Sequence, residues 1–254
     1  NTVGLGLSMR DPQADQGFTY GGKFRIAEGS ESEVLSEIRR QAGESNQAYA
    51  RRLTSVVYDS VIHYWEEDGN KDLRVPIWEN WLLWINGTDP YEFCAPEKAI
   101  ERRVGVCSQV SKILVSTLQE DGGFEAAYSY ALDGHVVAQV LVENDGAGSE
   151  TWWVLDSDFG VVLEHSVAYL EQHPDDVAAA YAAAGYDADI SQRVAGYFGP
   201  EGNYEEGNAG LCREEAQAYA DKWALPLWMI APALVLFAGD KLLTTPGKPK
   251  SKRR

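Results

Sequence analysis

The sequence predicts an α+β fold in which helices precede a small antiparallel sheet, with a membrane helix near the C-terminus. Three observations carry this. Apolar residues recur every three to four positions through the first half of the chain, the period changes to two after Gly122-Gly123, and Trp223 to Gly239 forms a run without charge. With 254 residues and 44% hydrophobic content, the chain has enough apolar material for one main domain with a sizeable core.

The first thirty residues mix Gly, Pro and Asp without sustained periodicity and read as irregular or short-strand structure. Helical signals begin at "SESEVLSEIRRQAG", where Ser30 or Ser32 can cap and Val34, Leu35 and Ile38 share a face. A second helix is predicted through "ESNQAYARRLTSVVYDSVIHYWEED", its stripe running from Tyr49 to Tyr64 with a structural His63 beside it. "VPIWENWLLWING" reads as a short buried helix carrying Trp78, Trp81 and Trp84. "CAPEKAIERRVG" reads as another, with Pro96 in its first turn and Gly105 ending it. A helix then opens at Cys107, buries Val110, Ile113, Leu114 and Leu118, and stops at Gly122-Gly123. "EAAYSYAL", "HVVAQVLVEN" and "ETWWVLDSD" follow as three antiparallel strands. Helices return in "SVAYLEQH" and "PDDVAAAYAAAG", and "GYFGPEGNYEEGNAG" reads as a Gly-rich loop.

The end of the chain differs in kind. Seventeen uncharged residues from Trp223 approach the ~20 needed to cross the hydrocarbon core, with ~17 as the lower limit. A buried core helix or helical hairpin is the alternative. Trp residues near one end and "KPKSKRR" beyond the other favour a span with a cytoplasmic tail. The expected organisation is therefore an irregular segment over 1–30, a domain over 31–221, a membrane helix over 222–243 and a basic tail over 244–254, with the domain outside the cytoplasm. Because the chain opens on Asn1 rather than Met, a preceding signal or anchor is also expected.

Charge excludes one class of partner. Residues 1–221 hold 15 Lys/Arg against 38 Asp/Glu, and residues 222–254 hold seven against one. So acidic a body is repelled by phosphate backbones, and nucleic acid is not an expected partner.

Three cysteines, Cys94, Cys107 and Cys212, fit neither a zinc-finger spacing nor a disulfide scaffold, and their odd number leaves at least one thiol free. Cys107 is at a helix start, and a helix N-terminus and a neighbouring imidazolium both favour a thiolate. Among four histidines, His63 is predicted within a helix, and His165 and His173 lie in or beside helices after the sheet. His135 opens a strand straight after the Asp133-Gly134 turn, where its ring can reach a helix end. A histidine base also needs an acceptor on its other nitrogen. A turn centred on Asp145-Gly146 places Asp156 directly opposite His135; a two-residue slip places Asp158 there in one direction and Val154 in the other.

In this order and spacing "PEKAIERRVGVCSQVSKILVSTLQEDGG", "GHVVAQVLV" and "WWVLDSDFG", about Pro96 to Gly160, resemble the transglutaminase-like superfamily. The resemblance implies a papain-like core with a helical N-terminal lobe on an antiparallel sheet, and Cys107, His135 and Asp156 as catalytic triad. It implies no metal and no cofactor, and a thiol peptidase, amidase or transamidase acting on a protein, peptide or other amide. Relatives often carry a small residue and then Trp after the histidine; Val136-Val137 here puts substrate preference in doubt. An oxyanion-hole donor upstream of the cysteine is implied too, with Trp84 the candidate and Trp81 next, although both also suit a core. A silent scaffold domain in a cell-envelope or polysaccharide assembly is the alternative function. Cys94 and Cys212 would be able to pair in an oxidising compartment and leave Cys107 free. Asn86-Gly87-Thr88 reads as a turn.

Overall fold

The computed structural model describes residues 10–63, 92–93, 95–144, 149–199 and 203–207. Its first elements are short. Asp11 caps α1 (Pro12–Gln16) by accepting from the Gln13 N–H, and β1 (Phe18–Tyr20) pairs antiparallel with β2 (Lys23–Arg25). Ser30, not Ser32, caps α2 (Glu31–Glu37), in a reciprocal capping box with Glu33. Ser45 caps α3 (Asn46–Ser60), which buries Tyr49, Leu53 and Val57.

The stripe that predicts a longer α3 is cut at Ser60. Val61 is extended, and β3 (Ile62–His63) pairs in parallel with β4 (Val104–Gly105). His63 is therefore a strand residue, which corrects its expected place within a helix. Two guanidinium groups account for the break. Arg25 donates to the carbonyls of Tyr58 and Val61, the latter at 2.8 Å, and Arg103 donates to the Ser60 carbonyl at 3.1 Å. Cations here satisfy the last carbonyls and complement the helix dipole, while β-branched Val61 and Ile62 favour the extended chain.

The helix α4 (Pro96–Arg102) starts on its proline as expected but ends on Arg103 rather than Gly105. Arg103 sits at φ 70, the left-handed region that normally favours glycine. Its fully buried side chain bonds the carbonyls of Ser60 and Gly29, at 3.1 and 3.0 Å, and its own carbonyl accepts from the Ile62 N–H at 2.9 Å. Those bonds hold the strained conformation in place. Gly105 serves close packing instead: a Cβ there would lie 2.9 Å from Gln109 Cγ.

Cys107 opens α5 (Cys107–Glu120) as predicted. The three expected strands are β5 (Ala127–Leu132), β6 (His135–Asn144) and β7 (Glu150–Asp156). They form the middle of a five-stranded antiparallel sheet that also contains β8 (Val161–Leu163) and β9 (Tyr204–Gly207), in the order β8-β7-β6-β5-β9. β9 lies in the stretch expected to be loop. It is an edge strand spelled Tyr-Glu-Glu-Gly, without the apolar alternation that marks a strand. The predicted helices after the sheet are α6 (Val167–Leu170) and α7 (Pro174–Ala183); α8 (Ala188–Tyr197), capped by Asp187, joins them unpredicted.

The sheet is covered on both faces. Ala138, Val140, Val142, Trp153 and Leu155 pack with residues of α3 and α5 such as Leu53, Val57, Ile113 and Leu114. Leu132, Val137 and Val154 pack with Val177, Tyr181 and Val194 from α7 and α8. This is a mixed α+β architecture. The Trp-rich helix, Cys94, Cys212, the 222–243 span and the basic tail lie outside the described residues, among which no helix is long and apolar enough to cross a membrane.

Arg103→Ala should lower unfolding free energy by about 3–6 kcal/mol, because each of its two charge-assisted bonds contributes roughly 1.5–3 and an alanine side chain offers the two carbonyls no donor. Urea unfolding measures this. A loss below about 0.5 kcal/mol, the range of ordinary surface substitutions, would show that Arg103 is not what holds the α3 and α4 ends together.

Candidate active site

Cys107 is a free, partly buried thiol at the first position of α5. The helix cap, Val106, makes no side-chain hydrogen bond to the N–H groups of the first turn. Two contacts fix this end of α5. Gln109 exchanges hydrogen bonds with the backbone of Phe93, its amide donating to the carbonyl at 3.1 Å, and Ser111 Oγ donates to the Val136 carbonyl at 2.9 Å. The second bond ties the cysteine's helix to the strand residue next to His135.

His135 is buried at the start of β6 and its Nε2 lies 2.8 Å from Asp156 Oδ2. Asp156, at the end of β7, is fully engaged: Oδ2 also accepts from the Tyr181 hydroxyl, and Oδ1 accepts from the N–H groups of Asp158 and Phe159 at 3.0 and 3.3 Å. The other ring nitrogen, Nδ1, is 4.0 Å from Asp158 Oδ2. Cys107, His135 and Asp158 each offer an atom within 4.8 Å of those of the other two, so the thiol faces the imidazole from the side opposite Asp156. Sulfur, nitrogen and oxygen donors at this separation are also those that would hold a metal ion.

Strand register explains the meeting, and it differs from the expected one. Asn144 pairs with Glu150, so the strands close over residues 145–149 rather than over Asp145-Gly146 alone. A bulge then leaves Val142 as the extra residue of β6, and beyond it Ala138 pairs with Leu155. Continuing that register sets Asp156 level with Val137 and Asp158 level with His135. Asp156 therefore reaches His135 along the diagonal, not from directly opposite.

Burial alone would push the His135 imidazole down. The charge and hydrogen bond of Asp156, with those of Cys107, outweigh it and hold the group well above its ordinary 6.5. For Asp158, burial raises the carboxyl, but His63, His135 and Arg25 more than reverse this and keep it below 3.8.

Several residues complete the site that sequence reasoning missed. His63 Nδ1 lies 2.8 Å from Asp158 Oδ2, and the Tyr20 ring stacks on the His63 ring with centroids 4.1 Å apart. Arg25 donates to the Asp158 carbonyl at 3.1 Å. Phe159 and Tyr197 flank His135, Phe159 edge-on at 5.6 Å. The second carboxylate was legible as the two-residue slip that sets Asp158 opposite His135, and continuing the pairing of Ala138 with Leu155 gives that register. His165 and His173 stand apart, stacked on either side of Tyr169. Trp81 and Trp84 lie outside the described residues.

Because folding raises the pKa of His135, its charged contacts stabilise fully below about pH 6.5 and fade as pH rises through the higher folded value. His135→Gln should therefore lower Tm most near pH 6 and progressively less above neutrality. Thermal unfolding of both proteins across that range tests it, and a cost that grows with pH would contradict a buried imidazolium. No protein-family model, curated protein or solved structure matches the chain.

Proposed function

We propose that the protein is a transglutaminase-like thiol enzyme that cleaves or transfers an acyl group at an amide bond through a thioester on Cys107. The observation that carries this reading is the Cys107, His135, Asp156 constellation: a thiol at a helix N-terminus, an imidazole facing it, and a carboxylate on the far ring nitrogen at 2.8 Å. The resemblance of Pro96 to Gly160 to that superfamily points the same way.

In the forward step the Cys107 thiolate attacks the amide carbon, and the His135 imidazolium gives its Nδ1 proton to the leaving amine as the C–N bond breaks. The acyl group remains on sulfur. Water or a second amine then attacks the thioester, loses its proton to His135 and releases the thiolate. Asp156, held by four donors, keeps the ring oriented throughout and stabilises its charged form. The Cys107 backbone N–H, at a helix start with no side-chain cap, is suited to the oxyanion. The acidic body favours neutral or basic amide substrates, peptides or proteins among them. Residues 222–243 would anchor the domain to a membrane with the site on the extracytoplasmic side.

A vinyl-sulfone or other thiol-directed amide probe should label Cys107, and His135→Ala should slow labelling by about 10²-fold or more. Peptide mapping gives the site. Labelling that ignores His135→Ala would sink the enzyme reading and favour a silent binding domain. For the anchor, a reporter fused after Arg254 should be found in the cytoplasm. Its appearance on the other side of the membrane would overturn the proposed orientation.

A further inference from the structure

A Cys-His-Asp triad needs one carboxylate, and Asp156 already fills that role on Nε2. Asp158 is a second buried carboxylate, 4% exposed, and it lies on the Nδ1 side, where the thiol is. Proton transfer between thiol and imidazole has no use for an acid there. Its Oδ2 accepts from His63, while its Oδ1 is buried and has no hydrogen-bond partner among the described residues. An unpaired buried carboxylate oxygen costs free energy that a native site normally recovers.

We propose that Cys107 Sγ, His135 Nδ1 and an Asp158 oxygen form a binding site for one divalent transition-metal ion of the zinc type. Three arguments converge on it. The first is distance. Zinc holds nitrogen and oxygen at about 2.0–2.2 Å and thiolate at about 2.3 Å, so the edges of its tetrahedron are roughly 3.3–3.6 Å. The 4.0 Å between His135 Nδ1 and Asp158 Oδ2 closes to that with a shift of about half an ångström. The second is donor chemistry: thiolate, imidazole and carboxylate together suit zinc and exclude magnesium and calcium, which take oxygen ligands.

The third is the outer shell. A metal-bound histidine usually gives its other N–H to a carboxylate, which fixes the ring and leaves the ligating nitrogen a lone pair. Asp156 does this for His135. Ligating carboxylates are themselves hydrogen-bonded, and His63 does this for Asp158. Three protein ligands leave a fourth position, and Cys107, the only one of the three that is not buried, gives the ion its way in. Binding displaces the thiol proton to solvent and occupies the sulfur lone pair that would attack an amide. Ion and substrate therefore compete, and this consequence, unlike the site itself, rests on the thiol-enzyme reading above.

Cobalt(II) is the probe, added to the full chain under reducing, anaerobic conditions. One ion per chain should bind with a near-ultraviolet thiolate-to-cobalt charge-transfer band. Cys107→Ser should abolish the band, and Asp158→Asn should weaken binding by about 10-fold or more. Zinc should in turn slow alkylation of Cys107 in the unaltered protein, and this measurement decides the matter if Asp158→Asn fails to fold. No band with Cys107 reduced, a band that persists in Cys107→Ser, or unaltered cobalt affinity in folded Asp158→Asn would each overturn the site. The two readings separate cleanly. Cobalt binding without His135-dependent labelling leaves the metal site standing and removes the enzyme; His135-dependent labelling without a band or zinc protection does the reverse.

Discussion

A carboxylate at 1% exposure can persist only if its lone pairs are filled, and the candidate site is organised by how Asp156 meets that condition. Its four donors come from separate parts of the chain. His135 belongs to the start of β6, Tyr181 to α7, and the two N–H groups to the turn after β7. One buried anion thus fixes a strand, a helix and a turn against each other at the end of the sheet. Removing it would leave His135 and Tyr181 facing an unfilled space, a change of the kind that costs about 3–5 kcal/mol when one partner of a buried pair is lost. Structural and chemical roles are inseparable there. The same bond that orients the imidazole holds the sheet end together.

The second pair, His63 and Asp158, extends this logic to the N-terminal part of the chain. Tyr20 covers the His63 ring, and Arg25 bonds both the Asp158 carbonyl and the carbonyls that end α3. Tyr20 and Arg25 therefore support the His63–Asp158 side of the site, although nothing in their local sequence marks them out. Arg103 acts on the strand pair that leads to Cys107. By terminating α3 and bending the chain at the end of α4, it lines up β3 with β4, so that His63 lies beside Gly105, two residues ahead of the thiol. The two histidine–aspartate pairs are buried, with half-buried Arg25 beside the second of them.

Local signals were legible in the sequence and long-range ones were not. Cys107 at a helix start, His135 after an Asp-Gly turn, the capping serines and the three central strands all rest on patterns within a few residues. What fails is pairing at a distance. The stripe from Tyr49 to Tyr64 gave no warning that guanidinium groups from residues 25 and 103 would stop α3 at Ser60, so His63 seemed a helix residue. β9 lacks the apolar alternation of a strand and is held by its neighbour β5, whereas α8 does carry a helical stripe, Ile190, Val194 and Tyr197 behind the Asp187 cap, and was simply overlooked. Asp158 was visible only as an alternative register. Its partner His63 was hidden by the misplaced helix end, and so the second pair was missed as a unit.

The meeting of His135 and Asp156 shows how narrowly a long-range contact can depend on one residue. Side chains alternate along a strand, so a slip of two keeps a residue on its face and a slip of one reverses it. The hairpin closes three residues later than an Asp145-Gly146 turn would have it, an odd displacement that would turn Asp156 toward α5 and away from the imidazole. The Val142 bulge removes one residue from that displacement and restores the face. The bulge is itself held from outside the sheet: Asn46, the first residue of α3, donates from Nδ2 to the Val142 carbonyl at 2.9 Å. The start of α3 is therefore bonded to the bulge that shifts β6 on β7, and that register decides which of two aspartates orients the ring and which faces the sulfur. The expected partner is thus met on the diagonal and not directly opposite, because offsets of three and one leave an even slip of two that keeps Asp156 on the face of His135.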